Sequence, residues 1–305
     1  MSKNKVKRTR FNAAFDTVNI TLMGILLIII LYPLYFTIIA SVSEPYSVIN
    51  GEVLFYPVKM TFDAYRNILR ETKIWTGYRN TIFYTTFGTM FSLALTIPSA
   101  YALSKKNLKG RGMLGTYFMI IMFFSGGLIP TYLQIKSLNL LDKWFTLIVL
   151  DGFSVYNMIV TRTFFQNSIP EEIFEASRID GANEFQNFFI IALPLSKAII
   201  AVITLYYAVA RWNSYFTALI YTSSEAYQPL QIVLRNILIS NQTALQQVQA
   251  DALDPEAIAD AARKAYMAEG MKYSLIFISS APLLIAYPFV QKYFVKGIMM
   301  GSVKG

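Results

Sequence analysis

The sequence predicts an all-α integral membrane protein with six transmembrane helices. Hydrophobic residues make up 55% of the 305 residues, whereas charged residues make up only 15%. Soluble domains usually carry about 25% charged residues, and the apolar residues of this chain come in long runs. Six runs are long enough to cross a hydrocarbon layer of about 30 Å, which takes about 20 helical residues. They are residues 18–42, 78–104, 114–135, 144–165, 197–221 and 272–295.

The first apolar run resembles a secretory signal, because it follows a tail, residues 1–17, with five basic residues: Lys3, Lys5, Lys7, Arg8 and Arg10. Its apolar core is longer than the roughly 7–15 residues of a signal sequence. We therefore interpret it as an uncleaved first span. The whole spanning domain is then predicted to cover residues 18–295.

Basic residues predict the orientation of these spans. The N-terminal tail and the link after the second span, which holds Lys105, Lys106, Lys109 and Arg111, are both strongly basic. Short cytoplasmic loops carry such an excess, so we expect both in the cytoplasm of a bacterial cell, below its plasma membrane. An even number of spans also places the tail 296–305 there. The net charge of +9 is explained in this way without a nucleic acid partner.

Two outer loops are predicted, at residues 43–77 and 222–271. The first loop contains turn residues and then an amphipathic piece at 62–69. The stretch 241–270, rich in alanine and glutamine, predicts a helix outside the membrane.

Residue types that are missing exclude several kinds of chemistry. The chain has no cysteine and no histidine, which excludes disulfides, Cys/His metal sites and a nucleophile–histidine pair. It also lacks the G-x-x-x-x-G-K-[S/T] phosphate loop. We expect no cofactor in this chain and no catalysis by it. ATP and Mg²⁺, if they drive its action, would be bound by partner subunits.

Residues 167–194 lie on the predicted cytoplasmic side. They contain helix-start and turn signals that a segment which only connects two spans would not need. Asn167 and Ser168 with Pro170, followed by two glutamates, predict a helix start. Glu175 and Arg178 are three residues apart and are expected to pair.

The second half of this segment predicts a turn and another short helix. Gly181 suits a helix C-terminus with positive φ, and Asn183 suits the N-cap of a helix that carries Phe185, Phe188 and Phe189. Pro194 is expected to interrupt the chain before the fifth span. Together the two helices are predicted to form a compact docking element at the membrane surface.

This segment resembles the cytoplasmic loop of ABC importer permeases. The family pattern is Glu-Ala-Ala, three residues, glycine, nine residues, isoleucine, any residue, leucine, proline. The chain matches it in register, with serine for alanine at the third position, and also has the common Asp-Gly-Ala form around the glycine. The matching residues are Glu175, Ala176, Ser177, Asp180, Gly181, Ala182, Ile191, Leu193 and Pro194.

The resemblance extends along most of the chain, from Asn80-Thr81 through Trp212-Asn213 to the C-terminal residues 293–305. It is similar to the carbohydrate branch of the family, as the MalG-like member of a two-permease pair, and within that branch to the LplC-like group. This implies a type I ABC importer permease fold with a cytoplasmic coupling helix. We call residues 167–194 the coupling segment.

The resemblance also implies partners. They are a second homologous permease subunit, two cytoplasmic ABC ATPase subunits, an extracytoplasmic sugar-binding protein and an oligosaccharide substrate. The nine matching residues would couple the permease to its ATPase. Glu175 would pair with a basic residue of the ATPase, and Gly181 would set the turn between the two helices.

Four residues in the fourth and fifth apolar runs are candidates for a sugar pathway. Asp151 and Arg211 are predicted to lie about 10–15 Å below the outer interface. Charges at such depth face a cavity or a partner, so they either form a buried ion pair or line the pathway. Trp212 and Asn213 follow directly; an indole ring stacks on sugars, and a carboxamide bonds hydroxyl groups.

Other classes of protein stay open from the residues alone. An ion-coupled secondary transporter of a small polar solute would need one polypeptide, with Asp151 as its proton site. A membrane enzyme would need a polar cluster at one depth, which a chain without histidine hardly supplies. A structural assembly factor would have no use for the pattern of residues 175–194.

Overall fold

The computed structural model describes residues 10–239 and 270–288, and every regular element in them is helical. The chain divides into two compact units. Among the described residues, the first combines residues 10–70 with 238–239 and 270–279, and the second combines residues 71–237 with 280–288.

The first unit contains three helices from the N-terminal part of the chain: α1 (Arg10–Ser41), α2 (Pro45–Ile49) and α3 (Asp63–Arg70). α1 begins before the predicted first span, because a helix can continue past the hydrocarbon layer into its basic tail. The amphipathic piece at 62–69 lies mostly on α3. The predicted helix at 241–270, apart from its last residue, and the tail 296–305 lie outside the described residues.

Serine hydroxyls connect the elements of the first unit. Tyr65 Oη donates to Ser41 Oγ at 2.7 Å, and Ser274 Oγ donates to the Ser41 carbonyl oxygen at 3.0 Å. Ile39 and Val53 are buried in a small core beside them. The first part of loop 43–77 is thus packed against the end of α1.

The second unit is built around one long helix, α4 (Thr72–Ser104), which packs against α8 and α12. The remaining elements follow in chain order: α5 (Arg111–Phe123), α6 (Leu128–Ser137), α7 (Thr146–Val149), α8 (Val155–Ser168), α9 (Glu171–Ile179), α10 (Glu184–Gln186), a π-helix (Asn187–Ala192), α11 (Leu193–Leu195), α12 (Lys197–Trp212), α13 (Phe216–Tyr221) and a 3₁₀ turn (Glu225–Tyr227). Two further helices, α14 (Leu230–Ile239) and α15 (Gly270–Pro288), are each divided between the two units.

Three continuous helices, α1, α4 and α15, are long and apolar enough to cross a membrane. Two bent pairs also pass by length and composition: α5 with α6, bent by 109°, and Glu184–Leu195 with α12, bent by 80°. The described residues therefore contain three to five candidate spans rather than six straight ones.

Three of the predicted spans are interrupted. The third breaks at residues 124–127, the fourth at 150–154 and the fifth at 213–215. Glycines stand in the first two breaks, and glycine is the residue that most readily leaves helical geometry. Hydropathy finds these runs because it counts apolar residues without regard to the direction of the backbone.

The N-terminal half of α4 holds the loop before α14 through polar side chains. Asn80 Nδ2 donates to the carbonyl oxygens of Ala226 and Gln228 at 2.8 and 3.0 Å. Tyr84 Oη donates to the Tyr227 carbonyl oxygen at 2.8 Å. Because the loop has no regular ladder of backbone hydrogen bonds, the side chains of α4 satisfy its carbonyl groups.

Replacing Asn80 with alanine should therefore destabilise the protein. Asn80→Ala leaves two carbonyl groups without their donor, which costs about 1–3 kcal/mol for buried groups. The measurement is the thermal unfolding midpoint of the detergent-solubilised protein. Ile82→Ala on the same helix, where the side chain is exposed, is the control and should change the midpoint little. Equal midpoints for the two variants would contradict the role of Asn80.

Candidate functional site

The first helix of the coupling segment is α9, with Pro170 as its N-cap. Asn167 and Ser168, predicted as its cap, instead form the end of α8. The reason is Pro170, which favours an extended conformation in the residue before it. Ile169 is extended, with φ −112° and ψ 113°, and α8 therefore ends at Ser168, two residues before the proline.

The turn after α9 is a Schellman motif. The Gly181 N–H donates to the Arg178 carbonyl oxygen at 3.1 Å, and the Ala182 N–H donates to the Ser177 carbonyl oxygen at 2.9 Å. This pattern requires a left-handed residue at its centre. Gly181 has φ +85°, so its predicted conformation is confirmed.

The second helix begins with a capping box. Asn183 Oδ1 accepts from the Gln186 N–H at 2.9 Å, and Gln186 Oε1 accepts from the Asn183 N–H at 2.8 Å. The predicted cap is confirmed. The helix then widens into the π-helix, in which the Leu193 N–H donates to the Phe188 carbonyl oxygen.

Pro194 does not interrupt the chain, contrary to the sequence prediction. It lies inside the turn α11, where its missing N–H falls near the start of a helix. The break comes two residues later at Ser196, with φ −101° and ψ 15°. There the chain bends by 80° into α12.

Ser177, the one residue that departs from the family pattern, joins the two halves of the segment. Its hydroxyl donates to Asn187 Oδ1 at 2.5 Å, and both side chains are buried. An alanine could not make this bond. The departure from the pattern was the only sequence signal for the pair, and Asn187 itself was missed.

Arg178 pairs with different carboxylates from the one predicted. Its guanidinium lies 3.1 Å from Glu184 Oε1 and 3.7 Å from Glu171 Oε1. Glu175 points elsewhere and is exposed, with no ion pair in the part of the chain that the structure describes. The expected Glu175–Arg178 pair is therefore wrong, because Arg178 turns toward the second helix.

The base of the coupling segment is fixed to the C-terminal end of α4. Phe174 and Phe188 pack around Tyr101, with ring centroids 6.1 and 5.1 Å away. Tyr101 Oη donates to Glu184 Oε2 at 3.2 Å. Sequence reasoning missed Tyr101 because nothing local distinguishes it from other aromatic residues of an apolar run.

The buried ammonium group of Lys105 packs against the same aromatic rings. Its Nζ lies 3.1 Å from the Phe174 ring centroid and 4.7 Å from that of Tyr101, a cation–π arrangement. Burial lowers the pKa of Lys105 from its ordinary value, and Glu171 and Glu184 oppose that shift. A cavity of about 490 Å³ opens beside it, between α4 and the coupling segment.

The coupling segment also has a solvent-exposed surface. Ile179 and Phe185 are 87% and 79% exposed, and the pattern residues divide between this surface and the base. Ser177 is buried, and Ala182, Ile191 and Leu193 are half-buried. The exposed ones are Glu175, Ala176, Asp180, Gly181 and Pro194.

Arg211 is the polar centre of the interrupted fourth and fifth runs. It is only 8% exposed, and its guanidinium donates to three backbone carbonyl oxygens: Leu147 at 2.9 Å, Ile148 at 3.0 Å and Asp151 at 3.0 Å. Two of these carbonyls belong to the last turn of α7, where helical carbonyls lack partners.

Two residues of α4 accommodate Arg211, one by a hydrogen bond and one by its small size. Ser92 Oγ accepts from its Nη2 at 3.0 Å. A Cβ on Gly88 would lie 2.4 Å from its Nη1, so a larger residue at 88 would displace the guanidinium. Sequence reasoning missed both residues, since a glycine or serine in an apolar helix has many other uses.

Asp151 and Arg211 meet through the backbone rather than as an ion pair. Arg211 bonds the Asp151 carbonyl oxygen, whereas the Asp151 carboxylate is exposed and accepts from Thr217 Oγ1 at 3.3 Å. Asp151 also stands in a non-helical break and not inside a helix. Of the two readings left open by the sequence, the geometry favours separate roles for the two residues.

Trp212 and Asn213 diverge in their surroundings. Trp212 is buried, 6.5 Å from the Tyr78 ring, and borders an apolar cavity of about 760 Å³ along α12. Asn213 caps the C-terminus of α12 with an exposed side chain. Asn213 and Asp151 are thus the exposed polar members of the predicted pathway set.

Long apolar helices, a patterned surface segment and exposed polar residues at helix interruptions are features of a multipass transport permease. A family model described as the binding-protein-dependent transport system inner membrane component matches residues 74–300. The chain belongs to this family, which is a transport component and not a family of catalytic enzymes.

Two relatives from Bacillus subtilis (strain 168) match nearly the whole chain. Protein LplC is 38% identical over 299 residues, covering 97% of both sequences. The polygalacturonan/rhamnogalacturonan transport system permease protein YtcP is 36% identical over 297 residues, covering 96% of this chain and 99% of the relative.

A solved structure is similar as well. It is described as the crystal structure of a bacterial ABC transporter involved in the import of the acidic polysaccharide alginate. The matched chain has a TM-score of 0.82 and 36% identity, with coverage of 94% of this chain and 98% of that one. The matches identify an ABC transporter permease for carbohydrate import and decide against an ion-coupled carrier.

Removing Arg211 and removing the Asp151 carboxylate should have different consequences for stability. Arg211→Met removes the guanidinium from the carbonyls of Leu147 and Ile148, whereas Ser92 Oγ still donates to the Asp151 carbonyl at 3.5 Å. It should lower the thermal midpoint strongly, since each buried unsatisfied group costs about 1–3 kcal/mol. Asp151→Asn keeps the carbonyl that Arg211 binds, so its thermal midpoint should be close to that of the unmodified protein. The measurement is thermal unfolding in detergent.

The double variant separates this arrangement from an ion pair. If Asp151 and Arg211 form no ion pair, the double variant Arg211→Met with Asp151→Asn should have the same thermal midpoint as Arg211→Met alone. Removing one partner of a buried pair strands a charge, so removing both relieves the loss. A double variant more stable than Arg211→Met would therefore overturn the backbone role of Arg211.

Proposed function

We propose that this chain is one of two membrane-spanning subunits of an ATP-driven, binding-protein-dependent oligosaccharide importer. A second, homologous permease forms the other half of the pathway, and an extracytoplasmic binding protein delivers the sugar. Two cytoplasmic ATPase subunits bind ATP and Mg²⁺ and drive the cycle. In this proposal the chain crosses the bacterial plasma membrane six times, with both termini in the cytoplasm.

The observation that carries the proposal is the division of the coupling segment into a fixed base and an open surface. Phe174 and Phe188 pack against Tyr101 of α4, while Ile179 and Phe185 are exposed. An exposed apolar patch rimmed by polar residues marks an interaction site. A large soluble ATPase would bind here, with Glu175 opposite one of its basic residues.

The base explains how movement of an ATPase would reach the membrane. Ser177–Asn187 and the Arg178–Glu184 pair tie the two halves of the segment together. Lys105 and Tyr101 tie both halves to α4. The segment would therefore move with α4 as one body rather than bend at its own turn.

The sugar would pass the exposed polar groups of the interrupted runs. Asn213 and the Asp151 carboxylate are open to hydrogen bonds, whereas Trp212 and Arg211 are buried. Asp151 and Asn213 are thus proposed to contact substrate, and Arg211 is proposed to position the break that carries Asp151.

The relatives direct the choice of substrates to test. One is named for polygalacturonan/rhamnogalacturonan transport and another for import of the acidic polysaccharide alginate. Oligosaccharides of acidic polysaccharides are therefore the first candidates, and ATP hydrolysis by the assembled complex with its binding protein would report which of them is accepted.

Reversing the charge at Glu175 should uncouple the permease from its ATPase. Glu175 is exposed, so folding should tolerate Glu175→Lys, as surface changes usually cost within about 0.5 kcal/mol. Like charges at an interface cost several kcal/mol, which predicts at least about tenfold weaker retention of the ATPase. The measurement is co-purification of the ATPase, together with sugar-stimulated ATP hydrolysis.

Two further variants complete this test. Glu52→Lys makes the same charge reversal at an exposed residue of the predicted outer loop and should leave ATPase binding unchanged. Gly181→Val should impair coupling by another route, because a β-branched residue resists the φ of +85°. Normal retention and stimulation in both Glu175→Lys and Gly181→Val would show that the segment is only a connector.

A further inference from the structure

The third apolar run is interrupted at a depth where a transmembrane helix is normally continuous. α5 has 13 residues, about 20 Å at 1.5 Å per residue. It starts at the basic link, so it ends inside a hydrocarbon layer about 30 Å thick. α6 then leaves at 109° to α5.

The backbone of this break is polar and uncovered. Within the described residues, the N–H groups of Ser125 and Gly126 have no acceptor, and the Gly127 N–H is bonded only by Ser125 Oγ at 3.2 Å. All residues from 121 to 130 are exposed. A Cβ at Gly126 or Gly127 would meet no atom within 4 Å.

Lipid cannot surround such a backbone. Hydrocarbon offers no hydrogen bonds, and irregular backbone at membrane depth occurs only where protein covers it or where it lines a water-filled cavity. An uncovered amide in an apolar medium costs several kcal/mol. The break between α5 and α6 therefore needs a polar environment.

The helices on both sides of the break touch the other two interrupted runs. Before it, the Phe118 ring lies 5.6 Å from Phe153, within the break of the fourth run. After it, Tyr132 stacks on Tyr221 of α13 at 6.1 Å, and α13 follows the break of the fifth run. Those two breaks carry the exposed polar residues Asp151 and Asn213.

We propose that Ser125-Gly126-Gly127 lines the water-filled sugar pathway, as a third polar wall beside Asp151 and Asn213. Small side chains leave the main-chain N–H groups accessible, and sugar hydroxyls can replace water as their partners. The ligand class is a polyhydroxylated chain held by backbone groups. The inference rests on the proposed function, since it assigns a surface to that pathway.

The absence of native cysteine allows a direct test with single cysteines. Ser125→Cys in the assembled complex, reconstituted in vesicles, is treated with a charged, membrane-impermeant methanethiosulfonate. Ile28→Cys is the control: its side chain is 68% exposed near the middle of the uninterrupted α1. The reagent attacks thiolates, which form in water and not in hydrocarbon, so Ser125→Cys should react at least about tenfold faster.

A second site and a second readout make the outcome decisive. Gly126→Cys, where the added Cβ meets open space, should also react fast, and modification at either site should lower oligosaccharide uptake. If neither cysteine reacts faster than Ile28→Cys while the complex still hydrolyses ATP, the break is covered by lipid or protein, and this inference is overturned while the importer stands. Failure of the unmodified chain to assemble with an ATPase would instead count against the proposed function.

Discussion

The arrangement of the second unit depends on one guanidinium, that of Arg211. A membrane helix satisfies its own backbone, and each turn that unwinds leaves carbonyls that lipid cannot bond. Arg211 bonds three of them, including the Asp151 carbonyl, and so permits the fourth run to leave helical geometry at residues 150–154. Gly88 and Ser92 on α4 accommodate the cation. The Asp151 carboxylate is then free to face outward.

A second cation, that of Lys105, fixes the C-terminal end of the same helix. Lys105 rests on aromatic rings, as Arg211 rests on carbonyls, and neither is neutralised by a salt bridge in the described residues. Both contacts depend on α4, which runs unbroken from Thr72 to Ser104. In the proposed function, a displacement of the coupling segment would be carried along α4 to the residues around Arg211. One helix thus contacts both the coupling segment and the polar break.

Local features of the sequence were predictable, and long-range choices were not. The positive φ of Gly181 and the cap at Asn183 follow from residues a few positions apart, so they could be inferred without a fold. Arg178 has several acids within reach, and only packing decides that it takes Glu184 and Glu171. The bond from Arg211 to a carbonyl rather than to a carboxylate depends on where the chain unwinds. Hydropathy located the third, fourth and fifth runs, but it carries no information on the breaks within them.

The π-helix at Asn187–Ala192 gives the length of the coupling segment a meaning of its own. A π turn contains one residue more than an α turn. Deleting a residue from α10, which has no extra residue to lose, would rotate everything downstream by about 100°. Leu193, Pro194 and the start of α12 would then face a different direction from the capping box. The nine residues between Gly181 and Ile191 therefore set a direction as well as a spacing, and a change in their number would turn the chain where it enters α12.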